Sequence, residues 1–435
     1  MKAGHATLDP RELLTLGLAT AVADDASAAD GIVFDSRDAG PQRAFAALPG
    51  GQNHGREYIA SALALGSPFV ISDQPGARVV VCPDPTLALH RWATNRRRQT
   101  GARVVGITGS AGKTTAKTFV AAALRAGSPP GNLNTPHALA CHILNTFTSG
   151  SREVLELGID HVGEMQQLLA LTEPDIGVIT AVGQAHLDQL DSVEVVSREK
   201  GLILAGRPGF VHEDSAAFYP YLPGPSRVTY GFGPGAERRG FLVASSGAAV
   251  TFGYRGLRVE LPTPSLAVAS AAVLALALAE DAGLDLAEAA ERITQAQVPG
   301  SRMRVQVGRF TLLDDAYNAN PLSMKAALQS AGRFPRPRLA VLGDMKELGK
   351  EAEARHSELG LAAGGVFDHV IAVGEWADVT AESARQAGVT AEATTDAAEA
   401  IAAVLPLLSN GCAVLVKGSH SLGLEAVSEA VRHAL

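Results

Sequence analysis

The segment Arg103–Phe119 reads RVVGITGSAGKTTAKTF, an apolar run followed by a glycine-rich turn and a helical stretch. The run is typical of a buried strand, and the helical stretch begins at Lys113. Gly109 and Gly112 in the turn allow a ligand to approach the backbone closely. A strand, a glycine turn and a helix N-terminus in this order direct several backbone N–H groups at one point, where an anion is favoured. The segment therefore predicts a site for nucleotide phosphates.

The turn is a variant of the phosphate-loop motif. The strict pattern has a glycine five residues before Gly112, where this chain has Ile107, and Gly106 lies one residue earlier. Lys113 adds a positive charge, and the Thr114 hydroxyl suits a Mg²⁺ ion. An ordinary strand-to-helix turn is the alternative, although a Gly-Lys-Thr sequence in this setting seldom lacks a ligand. The predicted nucleotide-binding residues of the loop are Gly109, Ser110, Ala111, Gly112, Lys113, Thr114 and Thr115.

Composition and charge exclude some classes of partner. The chain has 435 residues, of which 46% are hydrophobic and 19% charged, and its net charge is −8. This length accommodates about three domains of roughly 150 residues. The longest basic run is Arg96–Arg98. Because affinity for a nucleic-acid backbone requires concentrated Lys and Arg, nucleic acid is not expected as a partner.

The cysteines and the apolar runs indicate the compartment. Cys82, Cys141 and Cys412 are far apart and lack the spacing of a metal site. We expect them to be buried, reduced thiols. The N-terminal residues have no apolar signal core. The most apolar helical run, Ser265–Ala279, is shorter than a membrane-spanning helix and is followed by two acidic residues. The sequence therefore predicts a cytoplasmic protein without a membrane span.

Strand-like and helical stretches alternate along most of the chain. This pattern predicts an α/β fold with mostly parallel sheets and with ligands at the carboxyl ends of the strands. We predict a small α/β domain at 1–98, a central phosphate-loop domain with a parallel sheet at 99–297, and a C-terminal Rossmann-like α/β domain at 298–435. Within the central domain, Arg227–Leu261 has short strands and Gly/Pro turns, which favours a small antiparallel insert.

Three further residues of the central domain are candidates for a metal site. Glu156 and His186 each lie near the end of a predicted strand, where an oxygen and an imidazole could hold a divalent ion near the nucleotide. Lys200 lies on the predicted helix 192–205. Taken singly, each has an ordinary interpretation: a carboxylate at a sheet edge, a hydrogen-bonded histidine and a lysine on a helix surface. Only their combination with the phosphate loop favours a catalytic site.

In the C-terminal domain we predict the strands Phe310–Leu313, Leu339–Leu342, His369–Val373 and Ala413–Val416. Three of these strands are followed by polar loops. These loops are Asp314–Pro321 (DDAYNANP), Gly343–Gly349 (GDMKELG) and Lys417–Ser419. An Asx-turn ended by proline would explain the first loop alone, but three such loops in one domain indicate a ligand-binding face. In the first domain, Ser36 and Arg37 could bind a ligand phosphate or simply form a turn.

Together these segments resemble the Mur ligases of peptidoglycan synthesis over essentially the whole chain. The N-terminal segments that carry the resemblance are Asp35–Arg37, Phe45–Leu48 and Asn53–Gly55. The central segments are Gly106–Thr115, Gly131–Asn134, Leu155–Gly158 and Ala185–Asp188. DDAYNANP and GDMKELG are similar to the loops of the family member that adds D-alanyl-D-alanine (D-Ala-D-Ala). The DNPR tetrapeptide of the ligase that acts before it does not occur in this sequence.

The resemblance implies an ATP- and Mg²⁺-dependent amide ligase for the small molecules UDP-N-acetylmuramoyl-tripeptide (UDP-MurNAc-tripeptide) and D-Ala-D-Ala, and we expect a monomer. The peptide carboxylate would attack the γ-phosphate, and the dipeptide amine would then displace phosphate from the acyl phosphate. The implied catalytic residues are Lys113, His186 and Lys200, of which the family carbamylates the last. The implied metal-binding residues are Thr114, Glu156, His186 and Lys200. The implied contacts of the C-terminal domain with ATP are Arg302, Asp314 and Asn318. The implied substrate-binding residues are Ser36, Arg37, Asn134, Asn320 and Lys417.

Several positions depart from the family's pattern. The helix beginning near Ser265 lacks the usual His-Asn pair and the further asparagine that contacts adenine. Ala181 stands where an asparagine is usual, His137 lies in an unusual segment after Asn134, and His420 replaces an arginine. Two alternatives therefore stay open. One is another ligase of this superfamily with a different amine substrate, such as another Mur ligase or a folylpolyglutamate-type synthase, although DDAYNANP argues against the latter. The other is a nucleotide-binding partner subunit that has lost catalysis.

Overall fold

The computed structural model describes residues 7–50, 53–184, 187–224 and 227–435. Within these ranges the strands are β1 Ala21–Val22, β2 Gly31–Val33, β3 Arg43–Ala46, β4 Val70–Ser72, β5 Val79–Val81, β6 Arg103–Thr108, β7 Arg152–Glu156, β8 Ile176–Ile179, β9 Gly209–His212, β10 Arg227–Gly231, β11 Arg238–Arg239, β12 Phe241–Ser245, β13 Val250–Tyr254, β14 Leu257–Leu261, β15 Arg304–Val307, β16 Thr311–Asp315, β17 Arg338–Gly343, β18 His369–Val373, β19 Thr390–Thr394 and β20 Ala413–Lys417.

The helices of the same ranges are α1 Glu12–Thr15, α2 Ile59–Ala64, α3 Pro85–Thr100, α4 Lys113–Leu124, α5 Pro136–Thr146, α6 Glu164–Thr172, α7 Leu187–Leu190, α8 Val193–Gly201, α9 Leu266–Asp281, α10 Leu286–Gln295, α11 Pro321–Ala331, α12 Ala352–Gly364, α13 Ala377–Gln386, α14 Ala397–Val404 and α15 Glu425–His433.

The N-terminal sheet has the strand order β1-β5-β4-β3-β2. Its strands β2 to β5 pair in parallel, whereas the two-residue β1 pairs antiparallel with β5. Phe45, Ala62 and Val70 belong to the small apolar core that joins this sheet to α2. Asp84 caps α3 by accepting a hydrogen bond from the Leu87 N–H, which is the usual role of an aspartate before a helix.

The central sheet has the order β11-β10-β9-β8-β6-β7. The prediction that residues 227–261 form an antiparallel insert was wrong for its first part, because β10 pairs in parallel with β9 and β11 pairs in parallel with β10. Only β12, β13 and β14 form an antiparallel sheet. Glycine and proline turns mark where the chain bends, but they do not show which strand it then pairs with.

The C-terminal sheet has the order β15-β16-β20-β17-β18-β19, with every pair parallel except β15–β16. Residues of β17 alternate between two apolar cores: Ala340 and Leu342 face one, and Leu339 and Val341 face the other. A parallel strand covered on both faces reads as a continuous apolar run. This is why the four central strands were predictable, and the α/β fold with parallel sheets is confirmed.

The described chain divides into two compact units. One contains the N-terminal sheet, the other contains the antiparallel sheet and the C-terminal sheet, and each contains strands of the central sheet. The first consists of Met1–Gly106, Arg125–Gly158 and Gly163–Ile176, and the second of Ile107–Leu124, Ile159–Val162 and Gly177–Leu435. The predicted domain boundaries at residues 98 and 297 remain predictions. The three cysteines are buried and form no disulfide, as expected. In the described part of the chain, no helix is both long and apolar enough to cross a membrane.

Candidate functional site

The phosphate loop connects β6 to α4 and is held by the end of β8. Gly109 has a φ of +150°, and a Cβ at this residue would stand 2.1 Å from Thr180 Oγ1. The Thr180 hydroxyl donates a hydrogen bond to the Ala111 carbonyl at 2.6 Å. The Ser110 N–H donates to the Ala181 carbonyl at 2.8 Å. The loop therefore has a fixed backbone path, and only glycine fits at position 109.

Lys113 is the first residue of α4, and its ammonium donates to the Gly109 carbonyl at 2.8 Å. Thr114 and Thr115 follow it, and each is largely buried. The first N–H groups of a helix lie beyond the reach of its own carbonyls, and the helix dipole favours negative charge there. One turn of chain thus presents an ammonium, hydroxyls and amide donors, which together suit a phosphate group. The assignment of these residues to a nucleotide stays a prediction.

Glu156 and Asn134 are brought together in the other compact unit. Glu156 ends β7 with only 2% of its surface exposed, and its Oε1 accepts a hydrogen bond from Asn134 Nδ2 at 3.2 Å. Gly158 makes room for this amide, because a Cβ there would stand 2.6 Å from Asn134 Nδ2. A predicted metal ligand and a predicted substrate contact are therefore neighbours, although they are 22 residues apart in sequence.

Lys200 is fully buried near the end of α8, with 0% of its surface exposed. The surface position that a lone helical lysine suggests is therefore wrong for this residue. Burying an unmodified ammonium is costly, so a buried lysine is a candidate for modification or for a specific electrostatic role. His186, the other predicted residue of this catalytic group, lies outside the described residues.

Asn320 joins the DDAYNANP segment to the phosphate loop. Its Nδ2 donates to the Ser110 carbonyl at 2.8 Å. Its Oδ1 accepts the Ser323 N–H at 2.9 Å and so caps α11. The sequence predicted a substrate contact here, whereas the structure gives this amide two partners within the protein. The polar end of β16 and the phosphate loop therefore belong to one site.

The two aspartates at the end of β16 have different surroundings. Asp314 accepts hydrogen bonds from Ser428 at 2.7 Å and from Arg432 at 3.1 Å, and 1% of its surface is exposed. This geometry gives no support to its predicted contact with ATP. Asp315 pairs instead with Lys417 at 2.8 Å. Burial raises the pKa of the Asp315 carboxyl, and the ammonium of Lys417 opposes that change.

Lys417 also donates to the Asn318 carbonyl at 2.7 Å. Lys417 lies at the end of β20, the strand beside β16, and its ammonium holds the DDAYNANP loop by these two interactions, with Asp315 and with the Asn318 carbonyl. The Asn318 side chain accepts the N–H of Ala319 at 2.8 Å. These two predicted ligand contacts therefore hold the loop itself, and their roles toward ATP and substrate stay predictions.

Arg302, Tyr317 and His420 form a stack that the sequence did not predict. The Arg302 guanidinium lies 3.6 Å from the centre of the Tyr317 ring, and it also donates to the Pro299 carbonyl. The ring of His420 stacks on Tyr317 with centroids 5.8 Å apart and planes 27° apart. A cation over an aromatic face is an attractive arrangement. The only signals available in the sequence were the tyrosine inside DDAYNANP and the unusual histidine after Ser419.

Ser36 and Arg37 lie in a short 3₁₀ turn after β2. The Arg37 guanidinium pairs with Asp35, which holds the pKa of that carboxyl below its usual range. The Arg37 side chain is 87% exposed, so this pair is expected to contribute little to stability. The exposed guanidinium is accessible to a ligand phosphate, and the predicted substrate contact stays a prediction.

Comparisons with known proteins agree with this arrangement. Residues 107–279 match the Mur ligase middle domain, and residues 301–420 match the Mur ligase glutamate ligase domain. The UDP-N-acetylmuramoyl-tripeptide–D-alanyl-D-alanine ligase of Escherichia coli strain K12 is 31% identical over 428 residues, which cover 93% of this chain and 94% of that protein. The protein of the same name from Bacillus subtilis strain 168 is 29% identical, over 91% of this chain and 92% of its own length.

Solved structures share the fold. MurF from Acinetobacter baumannii superposes with a TM-score of 0.87 at 25% identity, over 98% of this chain and 99% of that chain. MurF ligase from Thermotoga maritima, solved in complex with ADP, has a TM-score of 0.78 at 23% identity, over 93% of this chain and 98% of that chain. The three-domain architecture predicted from the sequence is the architecture of these neighbours.

Proposed function

This chain belongs to the Mur ligase family, and we propose that it joins D-Ala-D-Ala to UDP-MurNAc-tripeptide, with ATP as the phosphoryl donor, in the synthesis of peptidoglycan precursors. The observation that carries the proposal is the contact of Asn320 with Ser110, which unites the phosphate loop and the DDAYNANP segment in one site. Relatives named for this reaction match the chain over more than nine tenths of its length.

The first step transfers a phosphoryl group. The terminal carboxylate of the tripeptide attacks the γ-phosphorus of ATP, the bond to the β,γ-bridging oxygen breaks, and ADP leaves an acyl phosphate behind. Two anions must meet in this step, so positive charge and amide donors are required. Lys113 would supply the charge, and the backbone N–H groups of residues 109–115 would supply the donors.

The second step forms the amide. The neutral amine of D-Ala-D-Ala attacks the acyl carbon, the C–O bond to phosphate breaks, and the amine loses a proton. Phosphorylation makes this possible because a carboxylate alone is a poor electrophile. The acyl phosphate must be kept from water until the amine arrives. The DDAYNANP loop, held to the phosphate loop by Asn320 and braced by Lys417, suits this purpose.

The family resemblance assigns Mg²⁺ to Thr114, Glu156, His186 and Lys200. Oxygen donors such as the first two are the ligands that Mg²⁺ prefers, and the ion, when bound, neutralises phosphate charge. Lys200 fits a carbamate: its ammonium would lose one proton, and the neutral nitrogen would then add to CO₂ and lose a second proton, so that a carboxylate replaces a buried cation. Ser36, Arg37 and Asn134 are proposed to contact the UDP-linked substrate. We further propose a cytoplasmic monomer with domains at 1–98, 99–297 and 298–435.

The test is ADP release by the purified protein with Mg-ATP, UDP-MurNAc-tripeptide and D-Ala-D-Ala, with each component omitted in turn. We expect release to require all of them, and mass spectrometry to show UDP-MurNAc-pentapeptide. Release that ignores D-Ala-D-Ala but responds to another amine would contradict the substrate and keep the ligase. No release under any combination would contradict the enzyme and favour a partner subunit that has lost catalysis.

A further inference from the structure

The GDMKELG loop, residues 343–349, touches α7 rather than only lining a ligand face. The Leu187 N–H donates to the Glu347 carbonyl at 2.8 Å. Gly349, with a φ of +53°, approaches Asp188 so closely that a Cβ would stand 2.9 Å from Asp188 Oδ1. Glu347 also has a positive φ, +63°. A non-glycine residue in this conformation is uncommon and indicates that the surrounding structure holds the backbone there.

The base of the same loop is anchored to the C-terminal sheet. Asp344, which is 1% exposed, accepts the N–H groups of Glu375 at 2.9 Å and Trp376 at 3.0 Å. The Met345 N–H donates to His356 Nε2 at 2.9 Å. These bonds fix the loop where it leaves β17, so the far end of the loop presents its carbonyl to α7 from a rigid support.

The helix that the loop contacts, α7, packs against α8, which contains Lys200. A one-turn helix such as α7 has little stability of its own. Leu187 and Leu190 of α7 form a small separate core with Val196 of α8, so the two helices pack together, and Lys200 lies on α8. A linker of two residues, 191–192, connects α7 to α8. A contact that fixes α7 therefore also fixes the helix that carries Lys200.

We propose that the GDMKELG loop is a positioning element for the catalytic lysine: Glu347 and Gly349 hold α7, and α7 holds α8 and Lys200 in the productive arrangement. The proposal rests on the proposed function in one respect, the catalytic role of Lys200. Glu347 and Gly349 are positioning residues and contact no substrate in this account. The C-terminal sheet thereby sets the geometry of a catalytic group in the central part of the chain.

The test is a double-mutant cycle of Gly349→Ala and Asp188→Ala in the full-length protein. The matched control is Gly388→Ala, because Gly388 has a φ of +85° and no atom within 4 Å of the added Cβ. Both glycine variants adopt the same unfavourable backbone region, but only Gly349→Ala meets Asp188. We expect Gly349→Ala to lower kcat at least about tenfold and to raise the half-saturating Mg²⁺ concentration, since small misplacements of catalytic groups are costly. Gly388→Ala should do neither.

In the Asp188→Ala background, Gly349→Ala should lower kcat less than about threefold, because the carboxylate that the added Cβ would meet is absent. An equal cost in both backgrounds, or an equal effect of Gly388→Ala, would overturn the proposal. Hydrogen exchange tests the positioning role of the loop independently of the proposed ligase activity. Without any ligation activity in the wild type, amides of residues 187–201 should still exchange about tenfold faster in Gly349→Ala than in Gly388→Ala. Unchanged exchange would overturn the positioning role on its own.

Discussion

At the scale of single residues, we predict that phosphate binding depends most directly on Lys113. Its ammonium donates a hydrogen bond to the Gly109 carbonyl at 2.8 Å, so its charge lies at the phosphate loop. We expect Lys113→Ala to lower kcat for ADP release at least about 100-fold, because it removes a charge that stabilises the transition state. Binding of UDP-MurNAc-tripeptide should stay nearly unchanged in titration calorimetry. Retained turnover would show that the loop has another role, and Lys350→Ala serves as a surface control.

Lys200 gives a second prediction at this scale. Because the side chain is fully buried, its replacement by alanine leaves a space that a small carboxylate can enter. We expect Lys200→Ala to lose most of its activity and to regain part of it in acetate or formate, as a carbamate role requires. Chloride at the same ionic strength is the control. Wild-type rates in Lys200→Ala, or equal rates in chloride and acetate, would remove the carbamate.

At the scale of elements, the sequence predicted the buried strands that consist of a continuous apolar run. The prediction for β18, His369–Val373, matches the structure residue for residue. It missed β15 and β19, the edge strands of the same sheet. The segment Thr390–Thr394 is mostly exposed and reads TAEAT, so it forms a strand only because β18 offers a partner. Pairing of this kind depends on tertiary context and leaves no local pattern.

The sequence predicted the part of the site whose geometry is set by neighbouring residues. It did not predict the parts that depend on which way a side chain points. A glycine turn before Lys113 encodes its own geometry, so the phosphate loop could be predicted. Asp314 and Asp315 are adjacent on a strand, and their side chains point to opposite faces. No feature of DDAYNANP says which of them faces Lys417. Similarly, the burial of Lys200 depends on which side of α8 packs inward.

The helix pair α3 and α5 provides a prediction about pH. His90 Nε2 and His137 Nδ1 lie 3.0 Å apart between these helices. Burial, together with the charge of His137, lowers the pKa of His90 to about 4, and burial lowers the pKa of His137. In the folded protein the pKa of each of these two histidines is below the unfolded value of about 6.5. The stability that depends on both rings being neutral is therefore fully present above pH 6.5. It is lost as the pH falls from about 6.5 towards 4.

We therefore expect the wild type to lose on the order of 2 kcal/mol between these pH values from this pair. The variant His90→Gln keeps a hydrogen-bonding group but does not titrate, so its free energy of unfolding should vary less with pH. Urea unfolding at pH 7.5, 6 and 4.5 measures the difference. His433→Gln, at a histidine whose side chain is 76% exposed, should retain the wild-type slope. Parallel curves for His90→Gln and the wild type would contradict the interpretation.

At the scale of the whole molecule, one amide couples the phosphate loop to the C-terminal sheet. Asn320 caps α11 with its oxygen and contacts the Ser110 carbonyl with its nitrogen. These two roles can be separated, because aspartate is as good a helix cap as asparagine but has no N–H to donate. In Asn320→Asp a carboxylate oxygen would face the Ser110 carbonyl, so repulsion replaces a hydrogen bond.

We expect Asn320→Asp to keep the cap of α11, to lose about 1 kcal/mol of unfolding free energy together with the Ser110 contact, and to weaken binding of an ATP analogue about tenfold. Asn320→Ala should lose both the contact and the cap, and therefore about 1 kcal/mol more stability than Asn320→Asp. Asp396→Ala, which removes the cap of α14, should cost similar stability without weakening nucleotide binding. If Asn320→Asp binds the analogue as the wild type does, the contact of Asn320 with Ser110 is structural only. If Asp396→Ala weakens binding equally, the effect of the Asn320 variants is a general loss of stability and not the loss of the contact with Ser110.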